Sequence, residues 1–575
     1  MRYRFWIAVP VALATVLGGA TVAVAGGTDP ALVRTDRGTV RGTVDSGHRT
    51  FLGIPYAAPP VGERRWRAPQ PATPWAGVRD ATRPGHDCPQ TAGFLGDPAS
   101  DTEDCLVLNV TTPRSPGTRP RPVIVFIHGG GYFSGSARLY GADRLAGMAD
   151  AVVVTANYRL GVFGFLAHPA LGADSGDYGL ADQQAALRWV HRNAAAFGGD
   201  PGDVTIAGES AGSVSACAHL AAPSSAGLFQ RAILHSGPCA VTTEWPYPDG
   251  NWYPRARPVA ERDGTALAAR LGCPPVTGSA SKPTDPVGDV AGCLRAQPVA
   301  ALLDASSGGQ GYGPVYGGGL LPVAPADAIA TGRFNRVPVV HGTTRDEHRT
   351  FVAALEVFTG QVTTADDYRA ELSAVLGPAA PRVLARYPVS AFASPSLALA
   401  AVWTDRAWSC PALATDRALA RYTPTYAFEF SDERAPWASD SPAPSFPTGA
   451  FHAAELQYLF EDAQFPGPVT AAQRALANRL VGYWGAFARS GAPGWPRFTA
   501  NEPMVRSLAP DGDRPVDLAR EHHCDLWNSP PPATPVASGL ARDLDEFQSP
   551  RQRKLIKISA GAAQVERLAS VYRRG

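Results

Sequence analysis

Between Val204 and Ser213 a short β-type run meets the start of a helix, and the junction reads Gly208-Glu209-Ser210-Ala211-Gly212. A serine flanked by glycines at a strand-to-helix turn is the pattern of a nucleophile elbow. The need is steric. The turn is so tight that glycines must flank the serine, whose hydroxyl is held in a strained conformation pointing out of the sheet edge. The helix expected from Ser213 to Leu220 then brings its N-terminal N–H groups beside the reacting centre, where they can stabilise negative charge.

A serine hydroxyl attacks only when a base removes its proton, so a histidine must come from elsewhere in the chain. There are twelve. The usual chain order for this elbow is serine, acid, histidine. His235 and His341 end apparent strands and read as structural, and His522 and His523 stand beside Cys524 in a polar stretch. His452 follows the glycine-containing loop Thr448-Gly-Ala-Phe451 and precedes the helix-like Ala453–Phe460, a setting that can present an imidazole over the serine. The acid is expected just past a strand, and Val337-Pro-Val-Val-His341 is followed by Asp346 and Glu347; by pattern either could orient the imidazole. Phe126-Ile-His-Gly-Gly-Gly-Tyr132 supplies donors for an oxyanion. The backbone N–H groups of Gly130 and Gly131, with that of Ala211, form the expected hole.

The elements that must carry these residues are legible as short apolar runs separated by helical stretches from about Val40 onward. Arg121–His128, Ala151–Ala156, Val204–Ala207, Arg231–His235 and Val337–His341 read as strands, and their unbroken apolarity fits strands buried on both faces. Leu180–Ala196 is an amphipathic helix stopped by Gly198-Gly199, the crossover that parallel neighbours require. The reading is an α/β protein with a central, mostly parallel twisted sheet flanked by helices. The stretches Pro274–Asp289 and Asp432–Thr448 read as surface loops, and the composition changes sharply past Asn528.

The 575 residues carry 52 Lys+Arg against 51 Asp+Glu, a net charge of +1. That balance gives no broad attraction to nucleic acid or to an anionic membrane, and favours a neutral or weakly charged small molecule as partner. Arg2 and Arg4, an apolar stretch from Phe5 to Leu17 and the small residues Ala23-Val24-Ala25 lay out a secretory signal over residues 1–25, cleaved after Ala25. The apolar run is too short for a spanning helix. The expected organisation is one domain over 26–528 and a tail over 529–575 outside it. Export permits disulfides among the eight cysteines, although spacing alone leaves about 105 complete pairings. Lysine occurs only at 282, 554 and 557, which with the alanine richness points to a high-GC bacterial genome.

Together these residues resemble the type-B carboxylesterase/lipase family of α/β-hydrolases, which includes cholinesterases and bacterial p-nitrobenzyl-type esterases. Further matches are Phe51-Leu-Gly-Ile-Pro-Tyr-Ala-Ala-Pro-Pro-Val-Gly62, Glu103-Asp-Cys-Leu-Val-Leu-Asn109 and Asn157-Tyr-Arg-Leu-Gly161. The resemblance implies a catalytic set of Ser210, Glu347 and His452, with Glu347 rather than Asp346 as the acid, and Glu209 bordering the substrate gorge. It implies disulfides Cys88–Cys105, Cys273–Cys293 and Cys410–Cys524, leaves Cys217 and Cys239 unpaired, and makes Arg65 with Glu103 an ion pair. The loop from Cys88 to Cys105 lacks the tryptophan with which cholinesterases bind quaternary ammonium, which argues against choline esters.

The expected activity is hydrolysis of carboxylic esters by a secreted protein, with no metal or organic cofactor. A long-chain lipase of the same family is the alternative within that class. A catalytically silent, cholinesterase-like binding protein is the alternative outside it, and such proteins usually lack the serine or histidine that this chain retains.

Overall fold

The computed structural model describes residues 29–93, 97–115, 117–239, 253–273, 289–309, 311–438 and 441–527. The expected signal (1–25), the loop 274–288 and the tail 529–575 lie outside the described residues.

An eleven-stranded sheet runs through the molecule. In chain order its strands are β1 (Thr43–Val44), β2 (His48–Pro55), β3 (Val107–Pro113), β4 (Arg121–Ile127), β5 (Val152–Ala156), β6 (Gly199–Glu209), β7 (Arg231–His235), β8 (Val339–Thr344), β9 (Thr425–Phe430), β10 (Val505–Leu508) and β11 (Arg514–Val516). The spatial order is β11-β10-β9-β8-β7-β6-β4-β5-β3-β2-β1. From β5 through β4, β6, β7, β8 and β9 to β10 every pairing is parallel, and both margins are antiparallel. All five expected strands are present. Val337–His341 is displaced by two residues, because Pro338 has no N–H to give and pairing starts at Val339 opposite Thr425.

The unbroken apolar runs arise because the parallel strands have no wet face. Along β4, Val123, Val125 and Ile127 join one core while Ile124 and Phe126 join the other. The first core is closed by helices α1 (Tyr178–Asn193) and α2 (Ala211–Ala221) through Leu187, Val190, Val214 and Ala218. The second is closed by Leu480, Trp484 and Phe487 of a later helix, Ala471–Ser490. Each large side chain so buried contributes about 1.5–3 kcal/mol. The stretch Ala453–Phe460, expected to be helical, is so only over Leu456–Leu459. Ala453 takes a φ of 69°, outside helical space, and starts the segment with turns instead.

The three expected disulfides are present, and so is Cys217–Cys239, whose cysteines were expected to stay free. The reason is tertiary. α2 packs along β7, and the chain leaving β7 turns back over that helix at Gly237, where a Cβ would stand 2.5 Å from that of Ser213. This approach leaves the Cys217 and Cys239 Cα atoms 5.5 Å apart, within bonding range. The Arg65–Glu103 pair also forms, with Nε to Oε2 at 2.8 Å, and Arg65 donates to the carbonyls of Arg295 and Gln297 beside the Cys273–Cys293 bridge. Among the described residues no helix is long and apolar enough to cross a membrane.

Cys217–Cys239 closes 22 residues and Cys410–Cys524 closes 114. Replacing each pair by alanine is expected to cost roughly 3 and roughly 5 kcal/mol respectively. Chemical denaturation midpoints should therefore fall further for Cys410→Ala/Cys524→Ala than for Cys217→Ala/Cys239→Ala.

Candidate active site

β6 ends at Glu209 and α2 begins at Ala211, so Ser210 alone makes the turn between them, at φ 53° and ψ −122°. The glycines allow it. A Cβ on Gly208 would lie 2.3 Å from the Gly212 carbonyl, and one on Gly212 would lie 2.0 Å from Ile127 O. The Ser210 N–H donates to His235 O of β7 at 2.9 Å, which anchors the elbow in the sheet.

The glycine turn after β4 lies against this elbow, where a Cβ on Gly129 would meet Ser210 Cβ at 3.1 Å. Gly130 and Gly131 have φ of 92° and 60°. The turn closes on Gly130 O, which accepts from the N–H groups of Phe133 and Ser134, both at 3.0 Å. Among the described residues no protein acceptor takes the N–H of Gly130, Gly131 or Ala211. Those three donors are free for an oxyanion.

β8 delivers the two adjacent carboxylates, and the structure separates their contacts. Glu347 Oε1 accepts from the Thr344 N–H at 2.8 Å, and its Oε2 accepts from His452 Nδ1 at 2.6 Å. Asp346 instead clamps the backbone of the histidine loop: its Oδ2 accepts from the Ala450 N–H at 2.9 Å, and its own N–H donates to Ala450 O at 2.9 Å. Gly449 must be glycine because a Cβ there would lie 2.3 Å from that carboxylate. The His452 ring also packs against the stacked pair Trp408 and Phe351, with centroids at 4.5 and 5.2 Å. No local pattern in the sequence marked either ring.

Glu209, expected to border the substrate, places Oε1 3.1 Å from His452 Nε2. The imidazole thus lies between two carboxylates. Burial favours its neutral form, but Glu209 and Glu347 outweigh burial and push His452 up to about 9. The ring at rest is an imidazolium that donates from Nδ1 to Glu347 and turns the charge at Nε2 toward Glu209, and among the described residues no hydrogen bond joins Ser210 Oγ to Nε2. Once Nε2 loses its proton, the attraction to Glu209 goes and the nitrogen can accept from the serine hydroxyl.

The other histidines serve elsewhere. His235 donates from Nδ1 to Glu455 at 3.0 Å and accepts from the Trp484 indole at 3.0 Å. His341 pairs with Asp416 at 2.8 Å. His522 joins Asp405 and Glu429 at 2.6 and 2.7 Å; burial opposes its charge, but the two carboxylates prevail and hold it at about 10.

A parallel sheet carrying an elbow serine, a glutamate past a later strand and a histidine loop beyond it is the α/β-hydrolase arrangement. The family model described as the carboxylesterase family matches residues 29–527. The chain is 34% identical over 488 residues to the para-nitrobenzyl esterase of Bacillus subtilis (strain 168), covering 81% of this chain and 92% of that protein. It is 35% identical over 521 residues to the fumonisin B1 esterase of Sphingopyxis macrogoltabida, covering 85% and 88%. The chain belongs to the carboxylesterase family and is a carboxylic ester hydrolase.

If His452 acts as base only when unprotonated, kcat/KM rises with pH through a value near 9. Glu209→Gln removes one of the charges that hold the proton, so the rising limb should move to lower pH by roughly one unit. Paired pH–rate profiles check both its position and its direction.

Proposed function

We propose that the protein is a secreted serine carboxylesterase in which Ser210 is the nucleophile, His452 the general base and Glu347 the acid that orients it. The observation that carries this reading is the 2.6 Å contact of His452 Nδ1 with Glu347, on a ring whose Nε2 lies 3.1 Å from Glu209, the residue before a serine held at φ 53°. Ser210 Oγ attacks the acyl carbon and its proton passes to His452 Nε2. The oxyanion accepts from the N–H groups of Gly130, Gly131 and Ala211. When the C–O bond breaks, His452 returns the proton to the departing alkoxide, leaving an acyl-serine. Water then repeats the sequence, giving up a proton to His452 while it attacks, and the acid is released as Ser210 recovers that proton. Glu347 stays ionised throughout and stabilises the imidazolium.

Export through a signal over residues 1–25 is part of the proposal. It is supported by the layout of that segment and by four disulfides, which require an oxidising compartment to persist. One domain over 26–528 followed by a separate tail is likewise proposed, supported by a family match that ends at 527. The substrates are small-molecule esters. The two relatives are named for unlike esters, so neither name is transferred to this chain.

The test is hydrolysis of p-nitrophenyl esters from acetate to palmitate by the mature protein, with Ser210→Ala as control. An optimum at short acyl chains, with kcat lower by at least about 10^4-fold in Ser210→Ala, is expected. An optimum at long chains would make it a lipase. No turnover on any ester, together with no labelling of Ser210 by an organophosphate, would make it a binding protein.

A further inference from the structure

The three free N–H groups come from two segments far apart in the chain. Gly130 and Gly131 belong to the turn after β4, whereas Ala211 opens α2. For them to converge on one oxygen, the glycine turn must keep a fixed position relative to the helix. Glycines alone give it little rigidity, because they reach many conformations at similar energy.

Tyr132 is the first side chain after the glycines. It is fully buried, and at φ 65° it occupies a region that a bulky residue enters only when its surroundings hold it there. Its ring packs on Phe165 with centroids at 4.8 Å, and the Gly161 N–H donates to its carbonyl at 2.6 Å. The buried hydroxyl needs a partner. It accepts from Ser215 Oγ at 3.1 Å, and Ser215 lies on α2, the helix that begins at Ala211. That hydrogen bond ties the two halves of the donor set together.

Ser215 is held in turn. Gln183 of α1 donates from Nε2 to Ser215 Oγ at 3.1 Å, His219 Nε2 lies 2.9 Å from Gln183 Oε1, and His219 Nδ1 lies 2.9 Å from Ser225 Oγ. All of these side chains are buried. Burial keeps the His219 ring neutral by pushing it down to about 3, so it has a single N–H. An amide oxygen can only accept, which puts that hydrogen on Nε2 and leaves Nδ1 to accept from the Ser225 hydroxyl. Gln184 donates to Ser225 Oγ at 2.9 Å, which is consistent with the hydroxyl spending its own proton on the ring. The four bonds therefore run in one direction, Ser225 to His219 to Gln183 to Ser215 to Tyr132, and bonds aligned in this way polarise and strengthen one another.

We propose that Tyr132 and Ser215, backed by Gln183 and His219, are positioning residues that hold the Gly130–Gly131 turn where its N–H groups converge with that of Ala211 on the substrate oxygen. The proposal rests on the reading of those three groups as the oxyanion hole. A buried network that merely filled the core would affect stability. This one should affect the transition state more than the ground state, because the oxyanion forms only on the way to the tetrahedral species.

The experiment compares Tyr132→Phe and Ser215→Ala with the native protein. It measures kcat and KM on p-nitrophenyl butyrate, and inhibition by an aryl trifluoromethyl ketone, whose carbonyl becomes an oxyanion when the serine adds to it. Each variant is expected to lose about 10-fold in kcat with KM unchanged, and to bind the ketone more weakly by the same factor. The double variant should lose no more than either single one, because both changes cut the same link. A lower melting temperature with kcat and ketone affinity unchanged would overturn the proposal, as would losses in the single variants that multiply in the double. Ser210→Ala is assayed alongside: full activity there would sink the site reading itself, an outcome separate from failure of the positioning network.

Discussion

The structure of the site depends on one steric constraint, the space available where β6 turns into α2. Ile127 O stands where a Gly212 Cβ would be and the Gly212 carbonyl where a Gly208 Cβ would be, so β4, β6 and α2 come together more closely than side chains would permit. This proximity holds Ser210 at a positive φ and raises its hydroxyl off the sheet. It also brings the glycine turn after β4 against the serine, and points the first N–H of α2 toward the same place. Strain at Ser210 of order 1–3 kcal/mol is offset by the buried sheet on either side.

Charge is distributed around this point with the same economy of space. Glu347 has no exposed surface, yet its two oxygens accept from a backbone N–H and from an imidazole, so its charge is partnered on both sides. Asp346, the next residue back, is used entirely on the backbone of the histidine loop and on Arg349. Adjacent carboxylates thus do different work because successive residues leave the end of a strand in different directions. Glu209 completes the set. By facing His452 Nε2 it favours the imidazolium, the form that the proposed mechanism requires in the transition state, and it disfavours the neutral ring from which that mechanism starts.

Behind the reacting face, buried polar links join elements that hydrophobic packing alone would leave free to slide. Arg159 and Asp182 pair through two contacts of 2.7 Å with almost no exposed surface, fixing the segment after β5 to α1. His522 bridges Asp405 and Glu429 beside the Cys410–Cys524 disulfide and holds the last helical turns of the domain onto β9. Bonds between charged partners tolerate little displacement, so they set positions where apolar contacts set only proximity.

Much of this was written locally in the chain. Strand and helix types followed from runs and periodicities of apolar residues, since burial on two faces or one leaves a pattern within a few positions. The elbow and the glycine turn were legible because their glycines are demanded by backbone crowding at those very residues. The relations between distant segments were not legible in the local pattern; three of the disulfides, the Arg65–Glu103 pair and the choice of Glu347 came from the family resemblance. Pattern alone left Asp346 and Glu347 as equal candidates, and only the course of the histidine loop past β8 gives one of them the imidazole. Cys217 and Cys239 read as unpaired because their 5.5 Å approach depends on α2 lying along β7. The contact of Glu209 with His452, the rings of Trp408 and Phe351, and the hydrogen-bonded line from Ser225 to Tyr132 join residues from separate elements. Local sequence determined which residues had to be glycine or apolar and which serine stands at the elbow, because those demands come from immediate neighbours; the fold decided which charged and polar groups meet, because those distances are set by how whole elements pack.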